Sequence, residues 1–200
     1  MTTEVADSKE EAKKVREEFI KHLLDLGGYK WEGGAWKLDE KRMDRGALAD
    51  LRSGLGKEPG QMARVHKHVV PYLPEHRFDD RWHYVVATLF GSYPKHRKGY
   101  SLGKAFKPLR QKSDSMEARF IALLNAHTDD LDDHLRHAIS LLKSNEEPLD
   151  WFKLLDDLIQ WDDPDGHVQL GWARDFYAGG GQPSGDDTPA SGGEGEDDSE

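Results

Sequence analysis

Apolar residues at helical spacing are the feature that most limits what this 200-residue sequence can fold into. Near the start, Phe19, Leu23 and Leu26 recur every three or four residues, which would place them on one side of a helix. The same spacing returns in later segments, among them residues 131–142. Alternation of apolar and polar residues, the pattern of a half-buried strand, holds nowhere for more than a few positions. The sequence therefore predicts an all-α protein.

Glycines, prolines and capping residues divide this pattern into about eight helices. Gly27 and Gly28 end the first helix, and residues 29–38, with two tryptophans, are predicted to form a loop. A second helix is expected over residues 40–55, with leucines on its buried face. The later helices are separated by Pro, Gly and Asp residues, which are typical helix boundaries.

Charge is distributed unevenly along the chain, although the formal net charge is only −10. Residues 30–112 carry 18 basic and 9 acidic side chains, a net of +9. Residues 113–178 carry 5 basic and 15 acidic side chains, a net of −10. We therefore predict a two-lobed helical bundle, with a basic surface on an N-terminal lobe over residues 1–112 and an acidic C-terminal lobe over residues 113–178. Such asymmetry indicates an anionic partner for the basic lobe.

The last segment differs in composition from everything before it. Residues 179–200 contain 7 acidic side chains, no basic one and no aromatic one, among Gly, Ser and Pro. Because such a segment has almost nothing apolar to bury, we predict a disordered acidic C-terminal tail.

Several classes of protein are excluded by composition. The absence of cysteine rules out disulfides, thiolate catalysis and thiolate-bound metals. No stretch approaches the roughly 18 to 20 apolar residues that span a bilayer, so we expect no membrane association. The acidic start lacks the apolar core of a secretion signal, and we expect a cytoplasmic protein.

One segment could support metal chemistry. In HTDDLDDHLRH, Asp130 precedes His134 by four residues and Asp133 precedes His137 by four, so each pair would share one side of a helix. The same pattern is typical of a solvated helix with Asp–His pairs and acidic residues in its first turn, and we favour that interpretation. Because the sequence also lacks nucleotide-binding loops, HExxH and GxSxG, we expect no enzymatic activity, no cofactor and no metal site.

The stronger signal is basic. In RMDRGALADLRSGLG, Arg45 and Arg52 are seven residues apart, so on a helix they point within about 20° of each other. Arg42 precedes Arg45 by nearly one turn and is expected on the same side. Guanidinium groups held beside a packed face suit phosphate oxygens, because their donors form a rigid planar fork.

A second basic element follows as KHRKGYSLGKAFKPLRQK, a loop and then a short helix with one apolar side. Trp31, Trp36 and Tyr100 could stack on bases, although packing within the protein is the more ordinary role for such rings. A solvated basic face is the alternative, but the concentration of cations in one lobe favours phosphate binding. The predicted nucleic-acid-binding residues are Arg42, Arg45, Arg52, Arg97, Lys98, Lys104, Lys107, Arg110 and Lys112.

From RGALADLRSGL onward the sequence resembles the CasB family, the small subunit of the type I-E CRISPR surveillance complex Cascade. The resemblance continues through SLGKAF, LLNAHTDDLDDHLRHAISLLKS, LDWFKLLDDLIQWD and WARDFY, and covers about residues 12–178. Arg45 and Arg52 match the arginine helix of that family, while Lys104 and Arg110 fall in its basic helix. The second arginine of the family's usual pair is Ser53 here.

The resemblance implies a non-catalytic, all-helical subunit present as a pair and in contact with the backbone and large subunits. It also implies that basic patches hold nucleic acid and stabilise the displaced non-target strand when guide RNA pairs with target DNA. The opposite charges of the predicted lobes favour head-to-tail pairing of two copies. Two alternatives remain: a helical adaptor that binds only proteins, and a metal-dependent nuclease built on the Asp/His segment.

Overall fold

A computed structural model describes residues 2–73 and 80–178 of the chain. This part is mostly helical, which confirms the all-α prediction, with nine α-helices where about eight were expected. The shortest of them, α3, has only four residues. The helices are α1 Thr2–Leu26, α2 Arg45–Arg52, α3 His66–Val69, α4 Asp80–Ser92, α5 Leu102–Arg110, α6 Asp114–Leu124, α7 Leu131–Ser144, α8 Trp151–Ile159 and α9 His167–Tyr177.

The segment predicted as a loop after α1 is a β-hairpin, so that prediction was wrong. Strand β1, Tyr29–Glu32, pairs antiparallel with β2, Ala35–Leu38. Gly33 and Gly34 form the turn with φ of 61° and 81°, the positive values that a tight hairpin turn requires. Each strand has four residues, too few for alternation to show in the sequence; the Gly-Gly pair was the available signal.

The predicted second helix over residues 40–55 is also divided. Residues Glu40–Arg42 form a separate 3-10 turn, and α2 begins only at Arg45. The Asp44 carboxylate accepts a hydrogen bond from the backbone N–H of Ala47 at 2.9 Å and so caps the new helix. Because capping aspartates occupy non-helical backbone, the chain cannot continue one helix through this position.

Helix α4 lies at the centre of the fold. All ten residues from Trp82 to Gly91 are buried, which is expected of a helix surrounded by others. Helices α2 and α8 pack against it. A Cβ added at Gly91 would lie 2.6 Å from the Leu51 Cβ and 2.7 Å from the backbone nitrogen of Arg52. The absence of a side chain at Gly91 thus lets α2 approach α4 closely.

One hydrophobic core includes residues from both sides of position 112. Phe106 of α5 lies 5.4 Å from Phe120 of α6 between ring centroids, and Phe120 stacks on Phe176 of α9 at 4.1 Å. The division into lobes at 112 stays a prediction, and the predicted disorder of residues 179–200 falls outside the described residues. Within the described part, no helix is both long and apolar enough to cross a membrane.

Candidate nucleic-acid interface

Helix α2 carries two exposed arginines at its two ends, Arg45 and Arg52. Leu48 and Leu51, between them, are buried where the helix packs on α4. Neither arginine has a carboxylate partner among the described residues. Their guanidinium groups are therefore available to an external anion while a buried face fixes the helix that carries them.

Arg42 is placed differently from the prediction. It lies in the 3-10 turn before α2, not on the helix with Arg45 and Arg52, because the Asp44 cap intervenes. Its Nη2 lies 3.3 Å from Oδ1 of Asp25 at the end of α1. This arginine already has an ion-pair partner, although both side chains remain exposed.

Residues 94–100, which we call the basic loop, are attached to the start of α8. The Arg97 N–H donates to the Leu149 carbonyl at 3.0 Å. The Gly99 N–H donates to the Asp150 carboxylate at 2.6 Å. Since the other oxygen of Asp150 caps α8, one carboxylate joins the loop and the helix. The contact of Asp150 with a loop 51 residues away depends on tertiary structure.

Two cations of the basic loop rest on aromatic rings. The Arg97 guanidinium lies 4.0 Å from the centroid of the Tyr100 ring, and Lys98 Nζ lies 5.7 Å from that of Trp31. Both side chains are exposed, and neither pairs with a carboxylate in the described part of the chain. The aromatic contacts orient the positive charges without neutralising them.

His96 attaches the same loop to the protein interior. Its ring is buried, and its backbone N–H donates to the Tyr29 hydroxyl at 2.7 Å. Burial lowers the pKa of the His96 imidazole below its ordinary value, although the nearby Asp150 carboxylate opposes that shift. A neutral ring is therefore the form that this packing favours.

Helix α5 presents the second basic helix that the sequence predicts. The Ser101 hydroxyl caps it by accepting from the Lys104 N–H at 3.2 Å. Leu102 and Phe106 are buried, whereas Lys104 and Lys107 are exposed with no carboxylate partner in the described structure. Lys104 Nζ donates to a backbone carbonyl of the basic loop at 3.1 Å, so the helix and the loop are adjacent.

The last two predicted residues have partners within the protein. Arg110 Nε lies 3.5 Å from the Glu117 carboxylate, and its guanidinium lies 5.0 Å from the Tyr177 ring centroid. Lys112 Nζ donates to the Asn145 side chain at 2.7 Å. The structure thus separates the nine predicted residues into those that bind another side chain of the protein through a salt bridge or hydrogen bond and those that do not. Six of the nine are exposed and have neither a salt bridge nor a hydrogen bond to another side chain in the described structure: Arg45, Arg52, Arg97, Lys98, Lys104 and Lys107.

Two aspartates of the Asp/His segment form ion pairs with arginines. Asp133 pairs with Arg136 of the same helix, and Asp132 pairs with Arg81 of α4 at 2.6 Å. The Asp–His pairs expected from the spacing do not form among the described residues of this helix. Among residues 2–73 and 80–178, no group of three or more His, Asp or Glu side chains is placed to hold a metal ion.

Comparison with known proteins finds the same family by two routes, a family model and a related protein. The family described as CRISPR-associated protein Cse2 matches residues 47–177, a range that contains α5 and all of α2 except its first two residues. The CRISPR-associated protein Cse2 of Thermus thermophilus is 36% identical over 168 residues, covering 82% of this chain and 90% of that protein.

Solved structures share the fold. A crystal structure of a Cse2-family protein from Thermus thermophilus gives a TM-score of 0.67 at 33% identity, covering 81% of this chain and 97% of that one. A chain of a CRISPR RNA-guided surveillance complex gives a TM-score of 0.64 at 24% identity, covering 83% and 93% respectively.

Proposed function

This chain belongs to the Cse2 (CasB) family of CRISPR-associated proteins, and on that premise we propose that it is a non-catalytic small subunit of a CRISPR surveillance complex of the Cascade type. In this role it binds nucleic acid without regard to sequence and stabilises the displaced non-target DNA strand in antiviral defence. Its partners are the backbone and large subunits, the R-loop formed by guide RNA and target DNA, and a second copy of itself. The fold shared with a chain of a surveillance complex supports this assignment.

The observation that carries the nucleic-acid part of the proposal is the set of six predicted cations that are exposed and have neither a salt bridge nor a hydrogen bond to another side chain in the described structure. Arg45 and Arg52 are held by a capped helix, Arg97 and Lys98 by a loop bonded to α8, and Lys104 and Lys107 by a second capped helix. Because the helices and the loop that carry these cations are packed, binding of a phosphate backbone would order only the side chains and not the protein backbone.

The physical demands of the role agree with this arrangement. Pairing of guide RNA with target DNA replaces one duplex by another of similar stability, so modest protein contacts can shift the balance. Contacts to phosphates carry no sequence information, which suits a subunit that must accept any displaced strand.

A matched pair of variants tests the proposal on single-stranded DNA. The first reverses four of the free cations to Glu, and its control reverses four exposed lysines elsewhere with the same change in net charge. We expect the first variant to bind weakly, with a slope of log K against log salt reduced by roughly 0.7 for each lost phosphate contact. The first set is Arg45, Arg52, Lys104 and Lys107; the control set is Lys13, Lys14, Lys57 and Lys143.

Retained helical circular dichroism establishes that both variants fold. Equal weakening by the two sets would show that only net charge matters, and would contradict a defined surface. Binding unchanged by the first set would favour the alternative of an adaptor that contacts proteins alone.

The proposal also expects intact DNA and RNA after incubation of the pure protein with Mg²⁺, Mn²⁺ or Zn²⁺. Cleavage that disappears in His134→Ala would instead support the metal-dependent nuclease.

A further inference from the structure

The hairpin, α1, α8 and the basic loop line a groove of about 580 Å³. One of its walls is formed by Trp31, Trp36 and Phe152, and we therefore call it the aromatic groove. Trp31 and Trp36 are paired across the hairpin, with their rings edge to face and their centroids 5.4 Å apart. Trp36 stacks on Phe152 of α8 at 6.3 Å and an interplanar angle of 29°. The volume lies within the range of about 300–1,000 Å³ of sites for small molecules.

Trp31 is the least protected of these rings. Trp36 and Phe152 pack partly against the core, but Trp31 is 49% exposed. A tryptophan held by a cross-strand partner yet half open to solvent presents a flat apolar surface without the need to move.

The charges around the groove leave one cation unpaired. The acidic groups in its wall already have partners: Glu17 lies 3.7 Å from Lys21, Asp156 lies 2.8 Å from Arg16, and Asp150 accepts the Gly99 N–H. Lys98 lines the same groove and has no carboxylate partner in the described chain. The groove therefore combines a stacking surface with a free positive charge.

We propose that the aromatic groove is a binding site for one nucleotide of a single-stranded nucleic acid, whose base stacks on Trp31 while its phosphate meets Lys98. This inference rests on the proposed function and adds a position at which a base, not only the backbone, is held. An aromatic side chain of a partner protein would fill the apolar wall but would leave Lys98 without an anion. The unpaired charge of Lys98 favours the nucleotide.

The test compares two oligonucleotides of equal length, one of deoxythymidine and one with abasic sugars, which keep the phosphates and lack the bases. Wild-type protein at low salt should prefer the base-containing strand by roughly 5- to 150-fold, the range expected from one stacked base. Trp31→Ala should abolish that preference and leave affinity for the abasic strand unchanged.

Trp31→Leu provides a second variant, since it keeps apolar packing on the hairpin and removes only the ring. Leu170→Ala serves as the control, because Leu170 is equally exposed, at 49%, on a different element. It should retain the preference.

The outcomes separate the two proposals. A wild-type chain that binds both strands equally overturns the nucleotide site but leaves the proposed function standing. A chain that binds neither strand overturns both. A preference that survives in both Trp31 variants, or a Trp31 defect confined to assembly with other proteins, also overturns the nucleotide site.

Discussion

At the scale of single residues, His96 links protonation to stability. Its pKa is lowered by burial, so as pH falls below about 6.5 the unfolded chain gains a proton that the folded protein resists. We predict that the free energy of unfolding decreases between pH 7 and 5, and that His96→Phe reduces this decrease by up to about 1.4 kcal/mol per pH unit. Denaturant titrations at several pH values measure both slopes.

The control for that prediction is His137→Phe, which changes an exposed ring on α7 and should keep the wild-type dependence on pH. The pKa values of His22 and His68 are also lowered, chiefly by burial, so some decrease should remain in His96→Phe. Identical slopes in wild type and His96→Phe would contradict the assignment.

At the scale of elements, the contact between α5 and α9 depends on Gly103. A Cβ at this position would overlap the backbone carbonyl of Trp172 and lie 3.0 Å from the Trp172 Cα, so one helix would have to move. We predict that Gly103→Ala lowers the free energy of unfolding by about 1–3 kcal/mol, although alanine is the better helix former. The same shift should weaken binding of single-stranded DNA, because α5 carries Lys104 and Lys107.

Gly171 offers a matched control on the other helix of this pair. A Cβ added there meets no atom within 4 Å, and its backbone does not have positive φ. Gly171→Ala should therefore stabilise the protein by about 0.5–1 kcal/mol. Equal effects of the two substitutions in thermal or denaturant unfolding would show that the close approach of α5 and α9 is unimportant.

At the scale of the whole molecule, charge beyond residue 178 should oppose nucleic-acid binding. The 7 acidic side chains of residues 179–200 follow Tyr177, whose ring lies against Arg110 of α5. We predict that truncation after Ala178 raises affinity for single-stranded DNA at low salt, with a gain that shrinks as salt screens the charges. Thermal stability should not change.

A full-length variant with neutral residues in place of those 7 acids distinguishes charge from chain length. It should reproduce the gain in affinity measured by fluorescence anisotropy. A truncated protein with unaltered affinity, or one that fails to join the assembled complex, would refute the prediction.

Two copies of the chain should meet head to tail. Residues 30–112 carry a net +9 and residues 113–178 a net −10, so unlike surfaces attract in a heterologous contact. Because exposed charges are screened beyond about 8 Å in physiological salt, the free protein should sediment as a monomer and pair only on nucleic acid or in the complex. A tight dimer with two-fold symmetry in solution would defeat this arrangement.

The sequence by itself determined the helical class and most of the candidate cations. Spacing of apolar residues depends on local geometry that every helix shares, so α5 follows from the chain alone. The same holds for the exposed positions of Lys104 and Lys107, opposite the buried side of that helix.

Tertiary structure decided which of those cations are free. Arg42 and Arg110 pair with carboxylates 17 and 7 residues away, Asp150 reaches back 51 residues to Gly99, and Trp36 meets Phe152 of α8. No local pattern encodes such contacts, because they depend on how helices pack and not on the period of any one helix. The aromatic groove exists for the same reason: its walls come from segments that only the folded core brings together.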